Sequence, residues 1–400
     1  MKTLDHGVGP AITFTRASNA TFFDANGTLQ TAANDTPRFD HDPATAGNPS
    51  RGLLIEEART NLFERSAEIN NAYWFKNAAT ITANDAASPN GLSEADRLVE
   101  TTANAGHFIR ANASVTSGVT YTHSVFAKAG TQNWLLLTMG DGEFGTAPRA
   151  WFNLSTGAAG STANSPTATS IQSVGNGWYR CSISKAATST ASAPLYISIT
   201  TGDTIFAAYE GNTANNILLW GAQLEAGAFP TSYIPTTTAA ATRAADSAVV
   251  TPISSFYNAS EGTLFAEASS FYIYPSGANR IFNIGNGPFS QATTLWFVNG
   301  TTGGAVWDSV GNAEANLSIS PVSNNTIYKT ALAFKPNDAA FTANGASVQT
   351  DSSVTVPDGI TEAAIGRSVG GGTAFLNGHI RKLAYWPRRL SNTLLQQLTT

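Results

Sequence analysis

Charge is scarce in this chain. Of its 400 residues only 12% are Asp, Glu, Lys or Arg, roughly half the ~25% of an ordinary soluble protein. A surface so poor in ions has to be made of Asn, Ser, Thr, Gly and Ala, whose hydroxyls and amides bond neutral polar ligands. The net charge is −5, with no Lys/Arg cluster beyond the pairs Arg381–Lys382 and Arg388–Arg389. Nucleic acid is therefore not an expected partner, because its phosphates need several cations in one footprint. Cysteine occurs once, as Cys181, which excludes a disulfide within the chain. Tyr179, Cys181 and Ile183 alternate on one strand face, so Cys181 reads as a small buried hydrophobe. The five histidines (His6, His41, His107, His123 and His379) are isolated, without H-x-H or H-E-x-x-H spacing, and no metal site is expected from them. His41 lies between Asp40 and Asp42 and reads as a salt-bridged loop. No apolar run approaches the ~18–20 residues of a membrane span, so membrane insertion is not expected. The opening MKTLDHGVGP has no apolar h-region, which points to folding in a cytoplasm without a secretory signal.

What the chain does have is length, apolar content and period-2 alternation. With 400 residues, 42% of them hydrophobic, it can fill two or three domains. Thr120 to Lys128, Trp134 to Met139, Ala150 to Ser155, Trp178 to Ser184 and Leu195 to Thr200 alternate as strands between Gly/Asn/Ser turns. Asn26-Gly27 and Asn344-Gly345 are tight-turn signals. The apolar strand Ile217 to Trp220 runs into Gly221, a turn with Pro230 and Pro235, and a Thr/Ala tract with no hydrophobic period. That stretch reads as a closing strand and a strap to a second β-rich half. From Ala248 the strands restart, and near the end Ser391 is placed to cap a helix with Leu394, Leu395 and Leu398 on one face.

The expected fold is all-β: tandem antiparallel β-sandwiches, a jelly roll followed by a concanavalin-like sandwich, with a short N-terminal β-hairpin anchor region. The expected divisions are 1–60 for the anchor, 61–236 for the jelly roll, 237–247 for the linker and 248–400 for the second sandwich.

Several blocks in fixed order carry a resemblance. Thr15 to Ser18, Asp24 to Gly27, Pro37 to Pro43 (PRFDHDP), Gly52 to Asn61 (GLLIEEARTN) and Gly221 to Thr236 (GAQLE…PTSYIPT) resemble a segment of bacteriophage and prophage tail-fibre and head-fibre proteins. The strand order of the first half resembles jelly-roll carbohydrate-binding modules. The last strand, with its R-x-L-S turn and short helix, resembles laminin-G and concanavalin-like domains. The resemblance implies a virion protein made in the host cytoplasm, with other virion proteins and host-surface polysaccharide as partners. It also implies a homo-oligomer, a trimer for a fibre. Laminin-G domains also admit a loop calcium ion, for which Asp308, Asp338 and Asp351 are candidates without a calcium-loop motif. No other cofactor is expected.

Catalytic residues are not expected. Glycan hydrolysis needs two carboxylates about 5–9.5 Å apart, and in the second sandwich Glu267 is the only acid on its strand, with Glu261 just before it. Glu56-Glu57 and Glu64 to Glu68 read as solvated charge, although acids distant in sequence can still meet. Aromatics are the better signal, because sugar rings stack C–H faces on Trp and Tyr. Trp134, Trp151, Trp178 and Tyr196 fall opposite the Leu/Ile rows, with Asn153 and Arg180 beside them. The expected carbohydrate-binding set is Trp134, Trp151, Asn153, Arg180 and Tyr196. A decoration protein without a ligand and a polysaccharide depolymerase are the alternatives.

Overall fold

The computed structural model describes residues 10–287 and 290–400. The start of the chain, including His6, lies outside the described residues. The fold is all-β, with two sandwiches and one helix among the described residues.

In the first sandwich, one six-stranded sheet has the order Ala158–Ala163, Arg149–Asn153, Trp134–Met139, Ala191–Thr200, His107–Val115 and Phe75–Asn77. It is called the platform sheet below. The facing six-stranded strap sheet runs Ala168–Ser173, Trp178–Ala186, Thr120–Ala129, Asn216–Ala226, Ser93–Glu100 and Ala79–Ala87. Alternation decides what lies between them: Leu135, Leu137, Leu195, Ile197, Cys181 and Ile183 meet in one core. Cys181 is buried, as its strand pattern predicts, and burial pushes its thiol up. His123 also faces this core, edge-on to Phe63, and neither ring nitrogen has a hydrogen-bond partner. The strand from Asn216 does not end at Gly221, where the sequence suggests a break. Gly221 takes φ +61 at an irregularity in the pairing with Thr120–Ala129, and the strand continues to Ala226. A glycine there lets the extra residue of a bulge be absorbed without stopping the ladder.

The second sandwich corrects the expected division of the chain. Residues 13–55 are not a separate hairpin segment with unpaired strands. Thr13–Thr15 pairs with Ser247–Val250 at the edge of one seven-stranded sheet. Ser50–Ile55 pairs with Gly378–Trp386, and Phe39–His41 pairs in turn with Ser50–Ile55, at the edge of the other. Phe14, Leu53 and Ile55 therefore lie in the same core as Leu264, Leu332 and Ile380. Only the hairpin Ala20–Phe23/Leu29–Ala32 forms as expected around Asn26-Gly27. The 237–247 stretch is also tied down, since Ala241–Arg243 pairs with Arg59–Asn61. The terminal helix Asn392–Thr399 has Ser391 as its N-cap, and Leu395 packs on Phe265 and Ala333.

Candidate functional site

Two surfaces are positioned by one buried junction. The strap, residues 227–246, lies across the polar outer face of the strap sheet. Thr122 Oγ1 donates to Gly227 O at 2.7 Å, and Thr231 donates through N and Oγ1 to the Glu225 carboxylate at 2.6 and 2.7 Å. Ile234 N donates to Gln223 Oε1 at 2.8 Å. At the far end of the strap, Asp246 receives Arg16 at 3.1 Å and Arg38 at 2.6 Å, while Glu56 receives Arg38 at 2.8 Å and faces Arg243 at 3.5 Å. Ser232 donates to both Glu56 oxygens. All of these charges are buried. Glu56, expected as solvated charge, is thus a core residue whose cations sit about 20 and 190 positions away. Glu57 and Glu68 do pair near the surface, with Arg59 and Arg65.

Burial raises the Glu56 pKa, but Arg243 and Arg38 outweigh it and hold the group at about 2. Its stabilisation is complete above the usual carboxylate range near 4.5 and is lost as pH falls towards 2. Burial alone pulls His123 down to about 3. The neutral ring then weakens the fold progressively as pH falls from about 6.5 towards 3, because only the unfolded chain takes the proton. Unfolding free energy is expected to decline from pH 6.5 and more steeply below 4.5. In His123→Phe the upper part of that decline should flatten, as urea titrations at pH 7.0, 5.5 and 4.5 would read. An unchanged slope in the variant would contradict the assignment.

The first surface is the outer face of the platform sheet, where strand register sets two rows. Phe75, Arg110, Tyr196, Thr138 and Arg149 lie side by side across five strands, and Asn77, Phe108, Ser198, Leu136 and Trp151 form the next row. Trp134 pairs with Asn153 one step further on. Trp134, Trp151, Asn153 and Tyr196 are therefore brought to one face, as the alternation predicts. They are not equally available. Residues 201–206 fold back over one end: Trp151 Nε1 and Thr200 Oγ1 donate to Ile205 O at 3.1 and 3.0 Å, and Asp203 anchors the loop to Ser161. Trp151 is buried under this cover, and Phe206 stacks beneath Arg149, 3.5 Å from the guanidinium carbon. Asn153 Oδ1 is spent on the Ser155 and Thr156 amides. Half-buried Trp134 and Tyr196 remain, with Phe108 edge-on to Tyr196 at 5.2 Å, and Arg110 over the exposed Phe75 at 4.8 Å. The alternation could not show the loop or Phe75, which sits on a three-residue strand.

Arg180 is not part of this face. It lies on the strap sheet and donates to Thr231 O and Ser124 Oγ. There it borders the second surface, a cleft of about 600 Å³ between the two sandwiches. Ser170, Gln172, Ser182 and Arg180 form one wall, and Tyr272, Asn324 and Asn325 of the second sandwich form another. Phe229 of the strap stacks on Tyr272 at 5.7 Å and 14°. The PRFDHDP loop supplies a third side. His41 makes no salt bridge there. Its Nδ1 faces the Phe23 and Phe39 carbonyls, Asp40 bonds His379 at 2.8 Å, and Asp42 holds Arg51 at 3.0 Å. Among the described residues no group of three or more His, Cys, Asp or Glu is placed to hold a metal. Asp338 is engaged by Arg389, Asp308 by Asn312 and Val310, and Asp351 by the Ser353 amide.

No protein-family model matches the chain, and no curated protein does. Solved structures similar to it include a CBM40 domain of the Ruminococcus gnavus IT-sialidase. That domain is 18% identical with a TM-score of 0.30, over 36% of this chain and 84% of that one. Domains LG4-5 of mouse laminin α1 are 10% identical with a TM-score of 0.25, over 72% and 90%. A Trypanosoma rangeli sialidase is 9% identical with a TM-score of 0.30, over 97% and 77%. Likenesses of this strength carry no argument about ligand or activity, and the fold stands on the strand pairing above.

Proposed function

We propose that this chain is a non-enzymatic surface protein of a virus particle, carried on a tail fibre, tail tip or head spike, that binds polysaccharide on the host surface. The observation that carries the saccharide part is the platform sheet's outer face. There, side chains from neighbouring strands align the rings of Phe75, Phe108 and Tyr196 with Arg110, Ser198 and Asn77. Flat rings meet the C–H faces of a sugar, and guanidinium, hydroxyl and amide groups meet its hydroxyls.

Binding without cleavage is supported by the carboxylates that border the cleft, each already committed. Asp40 is bonded to His379, Asp42 to Arg51, and Glu56 to Arg38. The phage setting is supported by the ordered sequence blocks. Single saccharide contacts are weak, so several copies per particle, as in a homotrimer, would supply avidity.

Tyr196→Ala is expected to weaken binding to host polysaccharide about tenfold, the equivalent of ~1.4 kcal/mol, with Trp134→Ala acting in the same direction. Glycan arrays with purified chain read this directly. Unchanged binding in both variants would move the site elsewhere, and no binding by the parent chain would favour a decoration protein without a ligand. Electron microscopy of labelled particles locates the chain on the virion.

A further inference from the structure

The cleft between the sandwiches is distinct from the aromatic face, and its chemistry follows from which of its groups are already used. Its charged groups are spent. Arg180 bonds Thr231 O and Ser124, Asp40 bonds His379, and Asp42 bonds Arg51. The groups left over are neutral. The side chains of Ser170, Gln172, Ser182 and Asn325 make no hydrogen bond to any other described residue, and Ser182 is only 3% exposed. A nearly buried serine whose hydroxyl has no partner among the described residues, at the floor of an open cleft, is placed to be satisfied from the cleft.

The rest of the same sheet face shows what such groups do. Register carries the Ser170–Ser182 row on to Ser124 and Gln223, and the Ala168–Ser184 row on to Thr122 and Glu225. Where the strap covers these rows, Thr122, Gln223 and Glu225 bond its backbone. Where it does not, the same kinds of side chain point into the cleft. The stacked Phe229–Tyr272 pair adds a flat apolar wall. Hydroxyls and amides opposite flat rings suit a ring-shaped, polyhydroxylated and uncharged ligand, and about 600 Å³ falls within the ~300–1,000 Å³ of small-ligand clefts.

We propose that this cleft binds a neutral oligosaccharide, independently of the platform sheet's face. The test applies an array of neutral glucan, galactan and mannan oligosaccharides, with acidic glycans alongside, to the full chain and three variants. Ser170→Trp fills the cleft from a half-buried strand position, Gln172→Ala removes one exposed amide, and Tyr196→Ala alters only the other face. Binding of neutral oligosaccharides is expected to fall at least tenfold in Ser170→Trp and about fivefold in Gln172→Ala, and to persist in Tyr196→Ala. Melting curves superimposable on the parent's confirm that the variants are folded.

Ser170→Trp and Gln172→Ala both retaining all neutral binding within twofold would overturn the proposal, as would a parent chain that holds only acidic glycans or an extended peptide. Loss in Tyr196→Ala alone would leave the platform face standing and remove the cleft. Loss in the cleft variants alone would do the reverse.

Discussion

Asp246→Ala is expected to lower the free energy of unfolding by about 3–5 kcal/mol, the usual cost of breaking a buried ion pair from one side. Asp246 is the only acid that Arg16 meets in an ion pair among the described residues, and it shares Arg38 with Glu56. It also accepts from the Glu56 amide at 2.9 Å. Truncation leaves one guanidinium buried without a counter-charge and a second with one of its two ion pairs. Asp246→Asn keeps an acceptor for one of them and should cost less. Equilibrium unfolding in guanidinium chloride reads both values. A loss below 1 kcal/mol for the alanine variant would mean that the junction relaxes to let water reach the arginines. Because Asp246 fastens the strap to Arg16 and Arg38, the variant should also expose residues 16–38 to protease before either sandwich core opens.

Gly52→Ala is expected to detach strand Ser50–Ile55 from Gly378–Trp386. Gly52 has φ +96, and a methyl there would sit 2.2 Å from the Ile380 carbonyl oxygen. The obstacle is backbone in the neighbouring strand, so no side-chain rotation relieves it. Strain of about 1–3 kcal/mol for the dihedral adds to a similar overpacking cost. The amides of Leu53 and Ile55, which pair with Ile380 and Gly378 in the ladder, should lose hydrogen-exchange protection. Unchanged protection with an unchanged melting temperature would show that the first 60 residues are not part of the second sandwich.

What was legible in the sequence was local. Alternation placed Leu135, Leu137, Ile197 and Ile199 inward and Trp134, Trp151 and Tyr196 outward, because a strand's period is 2 wherever its partners are. Ser391 and the leucines after it announced the final helix in the same way. What was hidden was pairing at a distance. Nothing near Thr13–Thr15 indicates a partner at Ser247–Val250, and nothing near Glu56 indicates Arg243. Arg180 and Trp134 both face away from Leu/Ile rows, but those rows belong to opposite sheets, which alternation alone does not distinguish.

The sequence blocks Thr15 to Ser18, PRFDHDP, GLLIEEARTN and PTSYIPT take on a physical meaning at the junction. Arg16 comes from the first block, Arg38 and Asp40 from PRFDHDP, Glu56 and Arg59 from GLLIEEARTN, and Ser232 and Tyr233 from PTSYIPT. All of them meet where the strap crosses between the sandwiches. Those blocks specify how the two halves are held, whereas the aromatic face and the cleft floor lie largely outside them.

The most direct test of the account follows binding and cleavage in one vessel. Purified chain is titrated with host-surface polysaccharide in a calorimeter, and the same mixture is then assayed for new reducing ends and for polymer length. The account predicts saturable binding, weakened in Tyr196→Ala, with polymer length and reducing ends unchanged after prolonged incubation. Shortened polysaccharide, or no heat of binding from any surface polysaccharide of the host, would contradict it.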